Sequence, residues 1–299
     1  MLFLPPRPNF IVPLPGGRQL VLGERTLVMG ILNVTPDSFA DGGLYLDPGA
    51  AEEAAVEMEA QGADLIDVGG ESTRPGSEQI SEDEEIRRIQ PVLQRLGRRL
   101  TVPLSVDTTK PEVARMALGE GAAMLNDVSG LRYDSTLAEV AARGGAALVL
   151  MHSRGRSRDM YREAAYSSVG TELLNELGAS LERAVTAGVP REAVILDPGL
   201  GFAKRPEHSY AALAALPELA ALGRPLLVGP SRKSFLAAAI GRPERAEGRP
   251  AAERDAATAA AVTAAVLLGA HLVRVHAVRE MTDAVRVADM IRGAGPANT

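Results

Sequence analysis

The chain has 299 residues, with 32 Lys and Arg against 38 Asp and Glu, so its formal charge is −6 at pH 7. A hydrophobic fraction of 46% and a charged fraction of 23% are ordinary for a folded protein with a buried core. The acidic balance argues against a dedicated nucleic-acid-binding protein, and the lack of cysteine excludes disulfides, thiolate catalysis and cysteine-ligated metals.

Short apolar, β-branched runs alternate with longer helical patterns along most of the chain. The short runs predict strands at Leu27–Asn33, Leu65–Val68, Leu104–Asp107, Met124–Asp127, Ala147–Met151, Val194–Asp197, Leu226–Val228 and Leu272–Val275. The longer patterns predict helices at Pro48–Gln61, Glu82–Arg95, Pro111–Leu118, Ser135–Ala142, Val169–Ala187, Pro206–Leu222, Lys233–Ile240, Ala251–Leu268 and Ala277–Ile291. Proline in the first turn marks several of these helix starts.

Eight strand-then-helix units predict a single α/β domain of the (β/α)8 TIM-barrel class, for which ~250 residues is typical. We expect residues 1–25 to form an N-terminal arm, a hairpin that caps the barrel bottom, and residues 26–299 to form the barrel. A doubly wound open sheet is the alternative, but the G-x-G-x-x-G turn typical of nucleotide-binding sheets is missing after the early strands.

The sequence predicts neither a secretory leader nor a membrane span. Pro5, Pro6 and Pro8 interrupt the N-terminal apolar run, and no basic region precedes it. Ala256–Val273 has no formally charged residue, but Gly269 divides it into a predicted helix and a short strand. We therefore expect a cytoplasmic protein.

The polar residues that end the predicted strands are candidates for a functional site, because barrel enzymes work at the C-terminal ends of their strands. All the lysines and two of the four histidines fall there. The set comprises Asn33, Asp67, Asp107, Lys110, Asn126, Asp127, His152, Asp197, Lys204, Lys233, Arg274 and His276. This concentration of scarce residue types indicates chemistry at one mouth of the barrel.

The carboxylates and amides of this set differ in what they indicate. Asp107, Asn126 and Asp197 are expected to converge on one small pocket. For Asp67 and Asp127 a role as the N-cap of the next helix is sufficient, because an Asp at a strand end often accepts unpaired helix N–H groups.

Basic residues and histidines elsewhere have simpler interpretations. His208, within a helix, and His271, at the start of a strand, are expected to be structural. The cluster of Arg154, Arg156 and Arg158 predicts an exposed loop rather than an anion site.

The residue types at the mouth suggest a flat heterocycle with a phosphorylated arm. Asp197 and Asn126 offer acceptors to a ring edge with neighbouring N–H groups, and Lys233 offers a donor to the opposite edge. Arg274 lies inside an apolar run, where a charge needs a partner. A phosphate site is predicted from Thr73, Asn33, Arg274 and His276. The amide oxygen of Asn33 suits Mg²⁺, which commonly binds substrate phosphates through few protein ligands.

Four segments carry a resemblance to a known family. They are M-G-I-L-N-V-T-P-D-S-F-A-D-G-G (29–43), D-V-G-G-E-S-T-R-P-G (67–76), D-P-G-L-G-F-A-K (197–204) and S-R-K-S (231–234). In order and spacing they resemble dihydropteroate synthase, from about Thr26 to Ile291. The resemblance implies a (β/α)8 transferase of folate synthesis that joins a dihydropterin-CH₂-diphosphate to 4-aminobenzoate and releases pyrophosphate. Sulfonamides are mimics of the second substrate in that family.

The resemblance also implies roles for individual residues. The pterin ring would be held by Asp107, Asn126, Asp197 and Lys233. The diphosphate would be bound by Thr73, Arg274 and His276, with Asn33 as the Mg²⁺ ligand. The 4-aminobenzoate would lie against Phe39, Pro75 and Phe202, with Ser234 at its carboxylate and Arg74 in the same substrate-binding set. Catalysis would involve Asp107, Lys233 and Asp37.

Further expectations concern loops and assembly. The loops at 33–43 and 69–77 would close over the mouth, and the resemblance implies a homodimer through late helices. Ala40, Ala203 and Pro230 replace residues that are more usual in the family, and Pro230 stiffens the approach to Lys233.

Two alternatives have different chemistry. Corrinoid-linked methyltransferases that act on methyltetrahydrofolate share the Asp and Asn pocket, but they need neither a pyrophosphate site nor the S-T-R-P-G loop. A non-catalytic pterin-binding paralogue is the second alternative, and the intact segments at 33–43 and 69–77 argue against it.

Overall fold

The structure of the protein is a computed structural model that describes residues 4, 7–35, 47–73, 77–156, 161–162, 164–241 and 250–294. Near the N-terminus, β1 (Phe10–Pro13) and β2 (Gln19–Leu22) form an antiparallel hairpin. Eight parallel strands follow, namely β3 (Leu27–Asn33), β4 (Leu65–Gly69), β5 (Leu104–Asp107), β6 (Met124–Asp127), β7 (Ala147–Met151), β8 (Val194–Asp197), β9 (Leu227–Val228) and β10 (Leu272–Val275).

The parallel strands form a nearly closed ring. Their order is β8-β7-β6-β5-β4-β3-β10-β9. A parallel bridge between Leu196 in β8 and Leu226, the residue before β9, brings the two end strands together. The predicted TIM barrel and its N-terminal hairpin are therefore confirmed, and each predicted strand matches an observed strand to within one residue.

Helices lie between the strands and cover the outside of the barrel. They are α1 (Pro48–Ala60), α2 (Glu82–Arg99), α3 (Pro111–Gly119), α4 (Thr136–Gly144), α5 (Val169–Thr186), α6 (Pro206–Ala214), α7 (Leu216–Leu219), α8 (Ser234–Ile240), α9 (Asp255–Leu267) and α10 (Val278–Gly293).

Three helix predictions were wrong in extent. The helix predicted over Ala251–Leu268 is α-helical only from Asp255, and a short 3₁₀ turn, Ala251–Arg254, precedes it. The stretch predicted as one helix over 206–222 is interrupted at Ala215, because Pro217 lacks an N–H donor and fits only the first turn of a new helix. Helix α2 continues four residues beyond its predicted end at Arg95, to Arg99, with Pro91 inside it.

The hairpin fills the bottom of the barrel. Val12 and Leu22, on its inner face, pack in one buried apolar cluster with Met29, Leu65 and Met124 from the inside of the barrel. The outward-facing apolar residues of the same strands belong to two other clusters, which they form with the surrounding helices. The core is thus divided between the barrel interior and the barrel–helix layer.

A histidine ties this arm to the barrel. His271 Nδ1 accepts from the N–H of Leu226 at 3.1 Å, and Nε2 lies 3.0 Å from the carbonyl of Pro8, to which it donates. The second histidine interpreted as structural, His208, packs edge-on against the ring of Tyr166, with 5.0 Å between ring centroids. The two hydrogen bonds of His271 confirm its structural interpretation, and that of His208 stays a prediction.

The uncharged stretch over 256–273 contains a helix and a strand, as predicted. Helix α9 ends at Leu267 and β10 begins at Leu272. Between them Gly269 has a φ of 103°, a left-handed conformation that glycine adopts without strain. In the ranges that the structure describes, no helix is long and apolar enough to cross a membrane.

The hairpin allows a matched test of core packing. Leu22 is fully buried, whereas its neighbour Val21 is 53% exposed on the outer face. We expect Leu22→Ala to lower the free energy of unfolding by about 2–5 kcal/mol, and Val21→Ala to change it by less than about 0.5 kcal/mol. Urea denaturation followed by circular dichroism measures both, and equal losses would contradict this packing of the hairpin.

Candidate active site

Alternation along the strands decides which polar side chains enter the barrel. In β4 Leu65 belongs to the interior apolar layer, so Asp67, two residues later, also faces inward. The same spacing holds in β6, β8 and β10. The second inward layer therefore contains Asp67, Asn126, Asp197 and Arg274.

Arg274 lies at the centre of this layer and has the partners that its apolar surroundings require. Its Nε donates to Asp67 Oδ2 at 2.6 Å, and its Nη2 donates to Asp107 Oδ2 at 2.9 Å. The same Oδ2 of Asp67 also accepts from Asn126 Nδ2 at 2.9 Å. The structure thus brings together residues from β4, β5, β6 and β10 around one guanidinium.

Burial changes the protonation of the carboxylates in this layer. Burial raises the pKa of Asp107 to about 7, against the opposing charge of Arg274 and with the help of the nearby carboxylate of Asp67. Burial likewise raises the pKa of Asp197, and the ammonium of Lys233 opposes the shift. The pocket therefore contains carboxylates whose charged forms are unfavourable unless a cation or an N–H donor binds them.

The N-cap interpretation was wrong for both aspartates, because helix α4 begins after Ser135 and Asp127 binds N–H groups of the turn that follows β6. Asp127 Oδ1 accepts from the N–H of Ser129 at 2.8 Å, and Oδ2 accepts from the N–H of Leu131 at 2.5 Å. Asp67 instead lies in the pocket, paired with Arg274. The parity of the strands separates the two, because Asp127 follows Asn126 and so faces the outside of the barrel.

Lys233 closes another side of the pocket. It follows β9 and begins the turn into α8, and its Nζ donates to the carbonyl of Leu200. The same Nζ lies 4.5 Å from the ring centroid of Phe202. Burial lowers the pKa of Lys233 to about 8, although the carboxylate of Asp197 favours its charged form. Asp197 Oδ1 accepts from the N–H of Gly199 at 2.7 Å.

A cleft of about 520 Å³, open to solvent, lies at the same end of the barrel. Thr73, Asp107 and Phe202 are among the predicted site residues that line it. Other lining residues include Glu71, Glu85, Tyr133, Arg154 and Arg156.

Asn33 lies at the rim, at the C-terminal end of β3. Its Oδ1 would be 3.7 Å from a Cβ placed on Gly69, and the Cβ of Asp107 would be 3.6 Å from the same point. The glycine at position 69 thus leaves room for about one methyl group between the amide oxygen of Asn33 and the side chain of Asp107. Within the described ranges no group of three or more His, Cys, Asp or Glu is arranged to hold a metal ion.

The remaining predicted residues lie around this rim or outside the description. His276 Nδ1 lies 2.9 Å from the hydroxyl of Ser231, whose oxygen accepts from the N–H of His276 at 3.1 Å. Ser234 is exposed at the first residue of α8, directly after Lys233. The predicted site residues Asp37, Arg74 and Pro75, together with Phe39, lie outside the described residues.

The interpretation of the arginine cluster as an exposed loop was wrong for Arg154. Its Nε donates to Glu176 Oε1 at 3.1 Å, and its guanidinium lies 4.1 Å from the ring centroid of Tyr166. Only 14% of the side chain is exposed. Arg156 is exposed and donates to Gln79 at 2.7 Å, and Arg158 lies outside the described residues.

Two further cations of the strand-end set, one partly and one fully buried, have contacts that the sequence did not predict. Lys110 pairs with Glu71 and Glu85, the second of which is 1% exposed. Lys204 is 1% exposed and contacts His152. Their scarcity in an arginine-rich chain was the one signal that pointed to them.

Comparisons with known proteins agree on one family. A family profile described as pterin binding enzyme matches residues 29–276. The dihydropteroate synthase of Synechocystis is 46% identical over 239 residues, which cover 80% of this chain and 83% of that protein.

Solved structures are similar over most of their length. The dihydropteroate synthase of Yersinia pestis, solved with a sulfonamide drug, superposes with a TM-score of 0.88 at 38% identity and covers 95% of this chain and 100% of its own. The enzyme of Burkholderia cenocepacia, complexed with 7,8-dihydropteroate, superposes with a TM-score of 0.83 at 40% identity. The match covers 98% of this chain and 99% of that structure's chain.

The pairing of Arg274 with two carboxylates predicts that the stability of an Arg274 variant depends on pH. We expect Arg274→Leu to lower the free energy of unfolding by about 3 kcal/mol at pH 8, because Asp67 and Asp107 lose their cation. Without the guanidinium the pKa of Asp107 rises above about 7. Above this pH the folded variant therefore binds more protons than the folded parent. As a result, the loss in free energy of unfolding caused by Arg274→Leu grows as the pH rises.

Urea denaturation at about pH 6 and about pH 8.5 measures this difference. Arg279→Leu is the matched control, since the side chain of Arg279 is 68% exposed on α10, and its effect should stay below about 0.5 kcal/mol at both values. A deficit for Arg274→Leu that does not change with pH would contradict the shared pairing.

Proposed function

Because the chain belongs to the dihydropteroate synthase family of pterin-binding enzymes, we propose that it joins a dihydropterin-CH₂-diphosphate to 4-aminobenzoate. The products are dihydropteroate and pyrophosphate, and the reaction is a step of folate synthesis. The observation that carries this proposal is the ring of buried acceptors around one guanidinium, with Lys233 beside it. Such a ring suits a flat base with several N–H groups.

The pterin would enter the inward layer of polar side chains. Asp197 and Asn126 are 4% and 2% exposed, so a ring that reaches them is largely removed from water. Carboxylate and amide oxygens there would accept from the amino and ring N–H groups of the pterin. Asp107 and Lys233 would contact the remaining edge, and the ammonium of Lys233 would donate to a carbonyl or ring nitrogen.

The diphosphate would lie further out. Thr73 lines the cleft, and His276 lies at the end of β10 on the same side of the barrel as Arg274. The side chain of Arg274 is 19% exposed, so the guanidinium that pairs with Asp67 and Asp107 is also accessible to an anionic group. We assign these three residues to the diphosphate.

Mg²⁺ fits the rim through Asn33. A single amide oxygen at the end of β3 is a sufficient protein ligand for this ion when most of its remaining ligands are substrate phosphates and water. When bound, the ion would neutralise charge on the departing pyrophosphate.

The second substrate would lie against Phe202 at the outer part of the cleft. Ser234, exposed at the start of α8, would donate to its carboxylate. Phe39, Arg74 and Pro75 are assigned to the same subsite from the family resemblance. The relative from Yersinia pestis was solved with a sulfonamide drug, and we propose that sulfonamides occupy this subsite here.

The reaction breaks the C–O bond between the pterin methylene and the diphosphate, and its electron pair leaves with the diphosphate. Asp107 lies close enough to the ring site to stabilise positive charge that develops on the pterin, and Asp37 is assigned the same task. The aromatic amine then forms the new C–N bond and gives up a proton to water. Because this amine is uncharged at neutral pH, the step needs no strong base.

We also propose that the protein forms a homodimer through α10. Val287, Met290 and Ile291 are 60%, 75% and 43% exposed, and their spacing places them on one face of this helix. Exposed apolar side chains in one patch are typical of an interface. A cytoplasmic location stays a prediction of the sequence.

The activity is tested by pyrophosphate release. We expect release only when pterin diphosphate, 4-aminobenzoate and Mg²⁺ are all present, and we expect Asn33→Ala to raise the Mg²⁺ concentration that gives half-maximal rate by about tenfold or more. A methyltransferase would release no pyrophosphate, and a non-catalytic paralogue would bind the pterin without turnover. Asn33→Ala with an unchanged Mg²⁺ requirement would remove this ligand assignment.

Lys233 gives a second prediction. If its compact ammonium donates to the pterin in a closed pocket, the broader guanidinium of Lys233→Arg cannot take the same position. Losing a charged hydrogen bond costs roughly 1.5–3 kcal/mol, so kcat/KM should fall about ten- to a hundred-fold. The melting temperature should not change.

Arg205→Lys, an exchange in the opposite direction at an exposed site next to Lys204, is the control. Its kcat/KM should equal that of the parent. Activity of Lys233→Arg within about twofold of the parent would show that the lysine is only a local charge.

A further inference from the structure

A buried lysine that the proposed reaction does not use lies beside the second subsite. Lys204 is 1% exposed. Its Nζ lies 2.9 Å from His152 Nδ1, 3.1 Å from each of the carbonyls of Gly199 and Phe202, and 3.4 Å from the carbonyl of His152. All four acceptors are neutral, and burial lowers the pKa of Lys204 well below its ordinary value.

The histidine that receives this lysine is itself held on its other side. Because Nδ1 of His152 accepts from Lys204, the ring proton belongs on Nε2, which donates to Glu176 Oε2 at 3.1 Å. Burial lowers the pKa of His152 to about 4, which keeps the ring neutral. Glu176 also accepts from Arg154. The loop after β7, the loop after β8 and helix α5 are therefore joined through one chain of side chains.

The loop after β8 contains several residues in the left-handed conformation, and the hydrogen bonds from Lys204 hold it in place. Gly199, Gly201 and Ala203 have φ values of 66°, 79° and 48°, all in the left-handed region. A Cβ on Gly199 would lie 2.0 Å from the carbonyl oxygen of His152, so the two loops are in close backbone contact. Ala203 has a Cβ and is strained in this conformation. Its carbonyl accepts from the hydroxyl of Tyr166 at 3.0 Å.

Phe202 lies between two of these left-handed residues, and its carbonyl is one of the groups that Lys204 holds. Its ring centroid is 4.5 Å from Lys233 Nζ, which also donates to the carbonyl of Leu200 in the same loop. The conformation of 199–203 thus sets both the aromatic wall of the cleft and a contact of Lys233.

We propose that Lys204 is a positioning residue for the 4-aminobenzoate subsite, where its buried ammonium ties the carbonyls of Gly199 and Phe202 to His152 and holds the Phe202 ring in place. A methionine of similar length would fill the same volume without the cost of burying an ammonium. It would not donate to the loop carbonyls, and this is what the lysine contributes. The proposal rests on the proposed function of the site and deepens it.

Steady-state kinetics of Lys204→Met test it. We expect the KM for 4-aminobenzoate to rise about tenfold or more, while the dissociation constant of the pterin diphosphate, from calorimetry, stays within about twofold of the parent. Arg205→Met, the same exchange at the exposed neighbour, should change neither value. If Lys204→Met raises the KM for 4-aminobenzoate and the dissociation constant of the pterin diphosphate alike, and also lowers the melting temperature, Lys204 has only a structural role. That result would overturn the proposal.

A double variant shows whether the effect passes through the aromatic ring. If Lys204 acts by placing Phe202, then Lys204→Met should raise the KM for 4-aminobenzoate little further in a Phe202→Ala background. Full additivity of the two changes would overturn the proposal. Lys204→Gln keeps N–H donors and should recover part of the affinity, and the same cycle is run with it if Lys204→Met does not fold.

A spectroscopic readout separates this proposal from the proposed function. The ¹⁵N resonances of His152 should show a protonated Nε2 and an accepting Nδ1 in the parent, and Nδ1 should shift in Lys204→Met when its donor is lost. This measurement needs no turnover. An unshifted Nδ1 would overturn the positioning contact, whereas absence of pyrophosphate release by the parent would overturn the function alone.

Discussion

The mouth of this barrel depends on one guanidinium placed between two buried carboxylates. Arg274 pairs with Asp67 and Asp107, and Asp67 in turn accepts from Asn126. Each of these groups would be costly to bury alone, and together they tie β4, β5, β6 and β10 at the level where the apolar interior ends. The pocket is polar because these charged groups are paired with one another inside the barrel, and it is open because the guanidinium retains part of its exposure.

Much of the fold could be predicted because it follows from local rules. The alternation of β-branched runs with helical patterns predicted every barrel strand to within one residue, and proline and glycine marked several of the boundaries. The break before Pro217 was missed, since an apolar stretch rich in Ala and Leu continues through it. The site was predicted as a set, because polar residues at strand ends have to meet at one rim.

What could not be predicted were pairings across the ring. Asp67 and Asp127 both lie near the ends of their predicted strands. Asp67 is two residues after the inward-facing Leu65, whereas Asp127 is three residues after the inward-facing Met124, and this difference alone separates the inward from the outward carboxylate. Because every second residue of a strand faces the same side, assigning faces from the inward apolar residue of each strand would have identified Asp67 as an inward residue. Nothing of this kind would have found the contact of Lys204 with His152, because it joins two loops that are 52 residues apart.

The hairpin below the barrel has a kinetic consequence. Among the described residues, Val12 and Leu22 fill the bottom of the ring, so the inward polar layer is the floor of a well that opens at the other end. A ligand on that floor can leave only past whatever occupies the rim. Two substrates that share this well would therefore bind in order, the deeper one first. The joined product would leave through the same opening by which the second substrate entered.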